Sequence, residues 1–397
     1  MLEFQEPLGG TRSSRLTDLP CVTCYLYPPN IKVYIVSPIF NTDVFNCNQI
    51  DECASEEPDE LERPKAFRPL RLVASGEALP QERVSAEALD VKLKLPLGWT
   101  AEHTGVLERR YASSTDTAAA LGAKAAQVAL AKAQYRLADI DAVVCASGGM
   151  QQSIPCTAAL ILEELNGQGT GIPCFDINAT CLSFVVALDT LANALVLGRY
   201  RRILLVSTEI TSRHLNWQDP ESCCLFGDSA VAFVLELGDA TATQGILGSS
   251  FRTYCEGAHW AEIQGGGSLL PPETYSPDKD SAYRFAMQGN ILFKQASKLL
   301  PSVVADCFNE AQCSLDSMAL VVPHQASLPA LRLTQRRLGI SDTQFFYDIA
   351  NYGNMVATSI PLALHHAIEQ RRLQRGQKVL LLGTSAGLSI GALCLSY

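Results

Sequence analysis

The chain has 397 residues, 47% hydrophobic and 18% charged, enough to bury a large core and unlike a disordered or collagen-like protein. Its net charge of −10 at pH 7 argues against a general nucleic-acid binder, which needs a basic face. No uninterrupted apolar run approaches the ~20 residues of a membrane helix, so no span is expected.

The charge is uneven. Residues 1–66 hold 5 basic and 11 acidic side chains, a net of −6, leaving −4 for the other 331 residues. This front segment is rich in Pro, Asp, Glu and Asn and ends in an acidic run, Asp51 to Glu62. It reads as a poorly ordered extension, with Ile31 to Phe40 able to pair as an edge strand. Cys21 and Cys24 form a CxxC, but Cys47 and Cys53 are spaced too widely for the usual zinc knuckle, so unpaired thiols and no metal are expected. Most later cysteines (Cys145, Cys156, Cys174, Cys181, Cys394) sit in apolar runs, as small buried hydrophobes do. Met1 to Cys21 has no basic start followed by an apolar stretch. A reducing, cytoplasmic setting with free thiols is therefore expected.

From Phe67 onward, apolar runs alternate with amphipathic segments, the pattern of an α/β fold. The spacing predicts an Ala-rich helix over Ala118–Tyr135, then a buried strand following Leu137 to Val144. Ala187–Leu197 reads as a second helix and Ile203–Thr208 as a strand. The same order returns as the helix Ala296–Ala311, the strand reached at Val322, the helix Ile360–Arg371 and the strand Val379–Thr384. The offsets are about 178 and about 176 residues, a sign of two similar halves, 67–240 and 241–397.

Three segments stand at strand–helix junctions. Asp176-Ile-Asn-Ala-Thr-Cys181 runs from a strand into a helix. A thiol at a helix N-terminus feels the helix dipole and unpaired N–H groups, which favour the nucleophilic thiolate. The alternative is one more buried cysteine. Leu320-Val-Val-Pro-His324 puts a histidine where an apolar strand stops, the side on which α/β folds bind ligands. Asn351-Tyr-Gly-Asn354 precedes the last helix, and Asn354 fits either a helix cap or a functional amide. His365 and His366 lie within that helix and read as surface or packing residues.

Together, Asn178-Ala-Thr-Cys181, Phe226-Gly-Asp228, Met287-Gln-Gly-Asn290, Pro323-His-Gln-Ala326 and Tyr352-Gly-Asn354 resemble β-ketoacyl-acyl-carrier-protein synthase III, of the thiolase superfamily. The likeness is collinear over about Phe67 to Tyr397 and includes Trp99, Thr104-Gly105 and Glu108-Arg109-Arg110. It implies the five-layered αβαβα thiolase fold, a homodimer, and Cys181, His324 and Asn354 as the catalytic triad. It further implies an oxyanion hole from the backbone of Cys181, Ala386 and Gly387, and substrate contacts from Trp99, Ile154 and Phe293. Arg332, Arg336 and Arg337 are similar in placement to a docking patch for acyl carrier protein. Phe226-Gly-Asp228 is expected to be a structural turn. The implied reaction is decarboxylative condensation of a Cys181-bound acyl group with a malonyl thioester, without a cofactor.

The departures bear on substrate. His103, Leu107 and Pro329 stand where coenzyme-A-using members of the family often carry Arg, which removes guanidinium contacts to phosphate. Ile154, before Pro155, replaces a frequent aromatic residue of the acyl pocket and admits longer or branched acyl groups. Two other readings stay open: acyl transfer from Cys181 to an oxygen or nitrogen nucleophile, and a non-catalytic subunit that binds acyl carriers. A chain beginning near Lys65 is expected to fold and condense.

Overall fold

Alternating residues of each strand go to different layers, and this builds the architecture. The computed structural model describes residues 67–238 and 244–397, which belong to one unit, Glu62–Tyr397. The acidic extension, its CxxC and the segment Ile31 to Phe40 lie outside the described residues.

The strands of two five-stranded sheets are β1 (Arg68–Pro69), β2 (Arg71–Ala78), β3 (Ala142–Ala146), β4 (Cys174–Ile177), β5 (Arg202–Glu209), β6 (Ser229–Glu236), β7 (Gly245–Thr253), β8 (Leu320–Pro323), β9 (Lys378–Ser385) and β10 (Ser389–Ser396). The first sheet has the order β2-β6-β5-β3-β4 and the second β1-β7-β10-β9-β8. In the first, β3 pairs in parallel with β4 and β5, while β6 runs antiparallel to β5 and β2. In the second, β8 and β9 are parallel and the remaining neighbours antiparallel. Thus β2, β3, β5 and β6 have counterparts in β7, β8, β9 and β10. The two-residue β1 crosses over to close the edge of the second sheet.

Six helices cover these sheets: α1 (Ala118–Ala133), α2 (Thr157–Glu164), α3 (Ser183–Val196), α4 (Gly289–Ala311), α5 (Leu328–Leu338) and α6 (Ser359–Glu369). On β3, Ala142, Val144 and Ala146 face the central layer, where α3 and α6 bury Phe184, Leu188, Ile360 and Leu364 between the sheets. Val143 and Cys145 of the same strand face outward under α1 and α2. The second sheet does the same: Leu320 and Val322 point inward, while Val321 packs under α4 and α5 with Leu300, Val303 and Leu331. Strands covered on both faces must be apolar throughout, which is why they read as continuous runs. The layers are helix, sheet, helix pair, sheet, helix: the five-layered αβαβα thiolase-like arrangement of two duplicated halves.

Alanines along α1 let it lie close to β2. A Cβ on Gly76 would stand 2.6 Å from the backbone of Ala125 and Ala129, so only glycine fits there. Among the described residues no helix is long and apolar enough to cross a membrane.

Candidate active site

The two central helices begin with the same local structure. Before α3, the Oδ1 of Asn178 accepts the N–H of Thr180 at 2.8 Å, and the Oγ of Ser183 accepts the N–H of Ala179 at 2.9 Å. Before α6, the Oδ1 of Asn354 accepts the N–H of Val356 at 2.9 Å, and the Oγ of Ser359 accepts the N–H of Met355 at 3.0 Å. Thr180 (φ 49°) and Val356 (φ 50°) share a left-handed backbone that is unfavourable for β-branched residues. Each pattern throws the next residue, Cys181 or Ala357, onto a single 3₁₀ turn that leads into its helix. The duplication therefore extends into the candidate site, with a cysteine at this point in the first half only.

These two helix starts abut. A Cβ on Gly148 would stand 2.8 Å from Val356 Cγ1, 3.2 Å from Thr180 Cα and 3.3 Å from a Glu209 carboxylate oxygen. Glu209 ends β5, fully enclosed, and accepts the N–H groups of Gly148 and Gly149 at 2.5 and 3.1 Å. Burial lifts its carboxyl to about 8, against donors at Gly148, Gly149 and Ala357.

The Cys181 sulfur faces the N–H of Ala386, its own N–H and the Ser385 hydroxyl. Ser385 ends β9 and Ala386 opens the turn to β10, where Gly387 takes φ 80°. Ser385 Oγ also donates to Ala179 O at 2.9 Å, tying the turn to the loop that carries Cys181. Two N–H groups near one sulfur are the kind of donor pair that can hold an oxyanion. The expectation of a ready thiolate is corrected. Burial, and then the Glu209 carboxylate, push the Cys181 thiol up to about 12, and the donors only partly oppose them. The helix N-terminus does not win: the residue is only half-buried, but the protein packed around its sulfur outweighs the donors.

His324 follows β8, and its N–H donates to Leu382 O at 2.8 Å. Its ring is enclosed, burial drops its pKa to about 4, and Nδ1 has no hydrogen-bond partner among the described residues. The imidazole is neutral at pH 7. Gly383 makes room for it: a Cβ there would stand 2.8 Å from His324 Cβ and 3.3 Å from Leu182 Cδ2. A side chain at that single position would meet both His324 and Leu182, the residue after Cys181, so the strand packs tightly against the segments that carry them.

Asn354 is held by its backbone, which donates to Leu225 O at 2.8 Å and accepts from Gly227 N at 3.0 Å. Phe226-Gly227-Asp228 is the turn that grips it. A Cβ on Gly227 would lie 2.3 Å from Tyr352 O. The buried Asp228 carboxylate accepts from Ala112 N, Ser212 N, Ser212 Oγ and Thr211 Oγ1 at 2.5 to 3.1 Å. These bonds bind chain segments together and leave the motif no group to offer a substrate.

The remaining candidates scatter. Trp99 lies on a short helix, and one face of its ring is stacked by His103, 4.1 Å away at 15°. The residue also packs against the buried cluster of Leu89, Leu225 and Phe226, so it is not a free stacking platform. Ile154, in the cis Ile154–Pro155 bond, is 85% exposed, so in the single chain it does not line an acyl pocket as expected. Phe293 lies on the first turns of α4, partly exposed. Arg332, Arg336 and Arg337 are exposed on α5, where Arg332 and Arg336 border a 620 Å³ surface cleft with Asp342. Arg332 also lies 3.9 Å from Asp342 and donates to Gln335, so part of its charge is spent within the chain. Glu209 was missed in the sequence, as was the packing role of Gly383. The available signal was a glutamate closing the apolar run Ile203–Thr208 and a glycine closing Val379–Leu382.

Residues 175–255 match the family model for 3-oxoacyl-[acyl-carrier-protein] synthase III, and residues 308–397 match that for its C-terminal part. The β-ketoacyl-[acyl-carrier-protein] synthase III of Chelativorans sp. strain BNC1 is 33% identical over 325 residues, 81% of this chain and 97% of that protein. The crystal structure of 3-oxoacyl-[acyl-carrier-protein] synthase III from Aquifex aeolicus is 28% identical with a TM-score of 0.74, covering 83% of this chain and all of that one. The priming β-ketosynthase of the R1128 polyketide pathway is 26% identical with a TM-score of 0.75, covering 84% of this chain and 97% of that one.

Proposed function

Because the chain belongs to the β-ketoacyl-[acyl-carrier-protein] synthase III family, we propose that Cys181, His324 and Asn354 carry out a decarboxylating condensation of an acyl thioester with malonyl-acyl carrier protein. The observation that carries this reading is the Cys181 sulfur set against its own N–H and that of Ala386, with the strand at Gly383 packing on both His324 and Leu182, the neighbour of Cys181.

In the first half-reaction the resting thiol gives up its proton as sulfur attacks the thioester carbonyl. The N–H groups of Cys181 and Ala386 receive the oxyanion, and the carrier thiol leaves with the proton. In the second, the malonyl thioester oxygen lies between His324 and the amide nitrogen of Asn354. With Oδ1 committed to the N–H of Val356, the amide must present Nδ2, a donor. The enolate formed as CO₂ departs is held by these donors. Its carbon then attacks acyl-Cys181, forming the new C–C bond and breaking the C–S bond; the cysteine leaves as thiolate and takes a proton from solvent to restore the resting thiol. No metal or redox cofactor enters these steps.

The acidic carrier protein would dock on Arg332, Arg336 and Arg337. Loss of Arg at His103, Leu107 and Pro329, with one face of Trp99 already stacked, favours a carrier-bound over a coenzyme A primer. A homodimer is part of the proposal. Among the described residues, β4 of the first sheet pairs only with β3 and so leaves an edge, and Met150 and Ile154 are 61% and 85% exposed nearby in the chain. Such a dimer would give Ile154 an acyl pocket to line on the partner subunit. The ten cysteines among the described residues are free, in keeping with a cytoplasmic enzyme of fatty-acid or polyketide synthesis.

Acyl primers tested with malonyl carrier protein, reading adduct mass and CO₂ release, test the proposal. Condensation product with CO₂ is expected. Acyl transfer to an added alcohol or amine without CO₂ would favour the acyltransferase reading. His324→Ala should spare loading more than decarboxylation.

A further inference from the structure

Helix α6 carries His365 and His366, which the sequence presents as surface or packing residues; the structure buries both. His365 Nδ1 lies 2.7 Å from Ser75 Oγ on β2. His366 stands between two carboxylates. Its Nε2 is 2.8 Å from Glu77 Oε2, also on β2, and its Nδ1 is hydrogen-bonded to Asp348. A ring with a carboxylate at each nitrogen needs a proton on both, which makes it an imidazolium. Burial works against that charge, but Asp348 and Glu77 outweigh it and lift His366 to about 9. His365 is driven the other way, to about 4, chiefly by burial. The charged groups facing the pair are Glu77 on β2, Lys132 on α1, Asp348 before the short helix Ile349–Tyr352, and Glu369 on α6.

Asp348 leads into both carbon–carbon-forming residues. Its N–H donates to Gln325 Oε1 at 3.2 Å. Gln325, fully buried beside His324, returns its amide to Pro323 O at 2.8 Å. Asp348 also opens the helix Ile349–Tyr352, whose Tyr352 ring packs 5.0 Å from His366, and Gly353 then carries the chain to Asn354. The other carboxylate oxygen of Asp348 is buried without a partner among the described residues, so His366 is its counter-charge. Cys181 hangs from other contacts, those of Asn178, Ser183 and Ser385.

We propose that His366, gripped between Glu77 and Asp348, is a positioning residue for the decarboxylation half-reaction, acting through Gln325–His324 and through Tyr352–Asn354 without touching substrate. This rests on the condensation reading above. The test separates the half-reactions in full-length protein. Acyl loading of Cys181 is followed by intact mass, and CO₂ release from malonyl carrier protein is measured from pH 7 to 10.5. For H366Q, loading within about twofold of wild type is expected. The turnover of decarboxylation should fall on the order of 10- to 100-fold at little changed KM, since small misplacements of reacting groups cost that much. Wild-type turnover should also fall reversibly at alkaline pH. In E77Q, which keeps the imidazole but removes one carboxylate, that limb should move to lower pH by about one unit. Equal loss of both half-reactions, no loss of either, or an unmoved alkaline limb in E77Q would overturn the proposal. If H366Q does not fold, E77Q decides alone. Wild-type protein that takes no acyl group would instead sink the condensation reading itself, and this one with it.

Discussion

Asn178 and Asn354 accept the same hydrogen bond, from the N–H two residues on, at equivalent points of the two halves. They spend their amide nitrogens differently. Asn178 Nδ2 donates to Gly148 O at 3.1 Å, whereas Asn354 Nδ2 makes no hydrogen bond among the described residues. One amide is used at both ends within the fold; its duplicate keeps an uncommitted donor. Asn354→Asp keeps the acceptor and removes the donor. It should leave loading of Cys181 near normal and cut decarboxylation by about 10²- to 10³-fold, as loss of one oxyanion donor does. Asn178→Ala should cost about 1–2 kcal/mol of stability in urea unfolding.

Gly383 has no positive φ to explain it; space does. Gly383→Ala would press a methyl against His324 Cβ. The expected result is a folded protein whose condensation turnover falls on the order of 100-fold. Wild-type turnover from Gly383→Ala would show that His324 has slack it is not drawn with.

The Cys181 thiol, held up to about 12, should be a poor nucleophile toward a small alkylating agent at neutral pH. Its raised pKa means that thiolate increases with pH throughout the usable range. Alkylation at Cys181, located by peptide mass, should quicken about tenfold per unit from pH 6 to 8.5. A plateau below pH 8 would mean that the helix N-terminus prevails over burial after all.

Asp228 joins the segments of Ala112, Thr211 and Ser212 through charge-assisted hydrogen bonds in a buried setting. Asp228→Ala leaves those donors unpaired and should cost at least about 3 kcal/mol in urea unfolding. An equally stable variant would assign the motif some role other than bracing.

The layers were legible because strands covered on both faces must be apolar throughout, and because two helix–strand pairs recur at nearly one spacing. Cys181, His324 and Asn354 drew notice for the same local reason: each is a polar residue where an apolar element starts or stops. What stayed hidden depends on partners far away in sequence. Glu209 reaches the site from the end of β5, some 61 residues from Gly148, so the raised thiol pKa could not be read from the Cys181 motif. His366 looked ordinary on its helix because Glu77 is 289 residues away. Ile154 looked like a pocket residue, but its own chain leaves it uncovered.

The central claim is that Cys181 carries the acyl group. Intact-mass spectrometry of wild-type protein and Cys181→Ala after incubation with a series of acyl thioesters tests it most directly. The expected result is one acyl mass on the wild type, mapped to the Cys181 peptide, and none on the variant. A wild-type chain that gains no adduct from any thioester, or a variant that loads equally well, would contradict it.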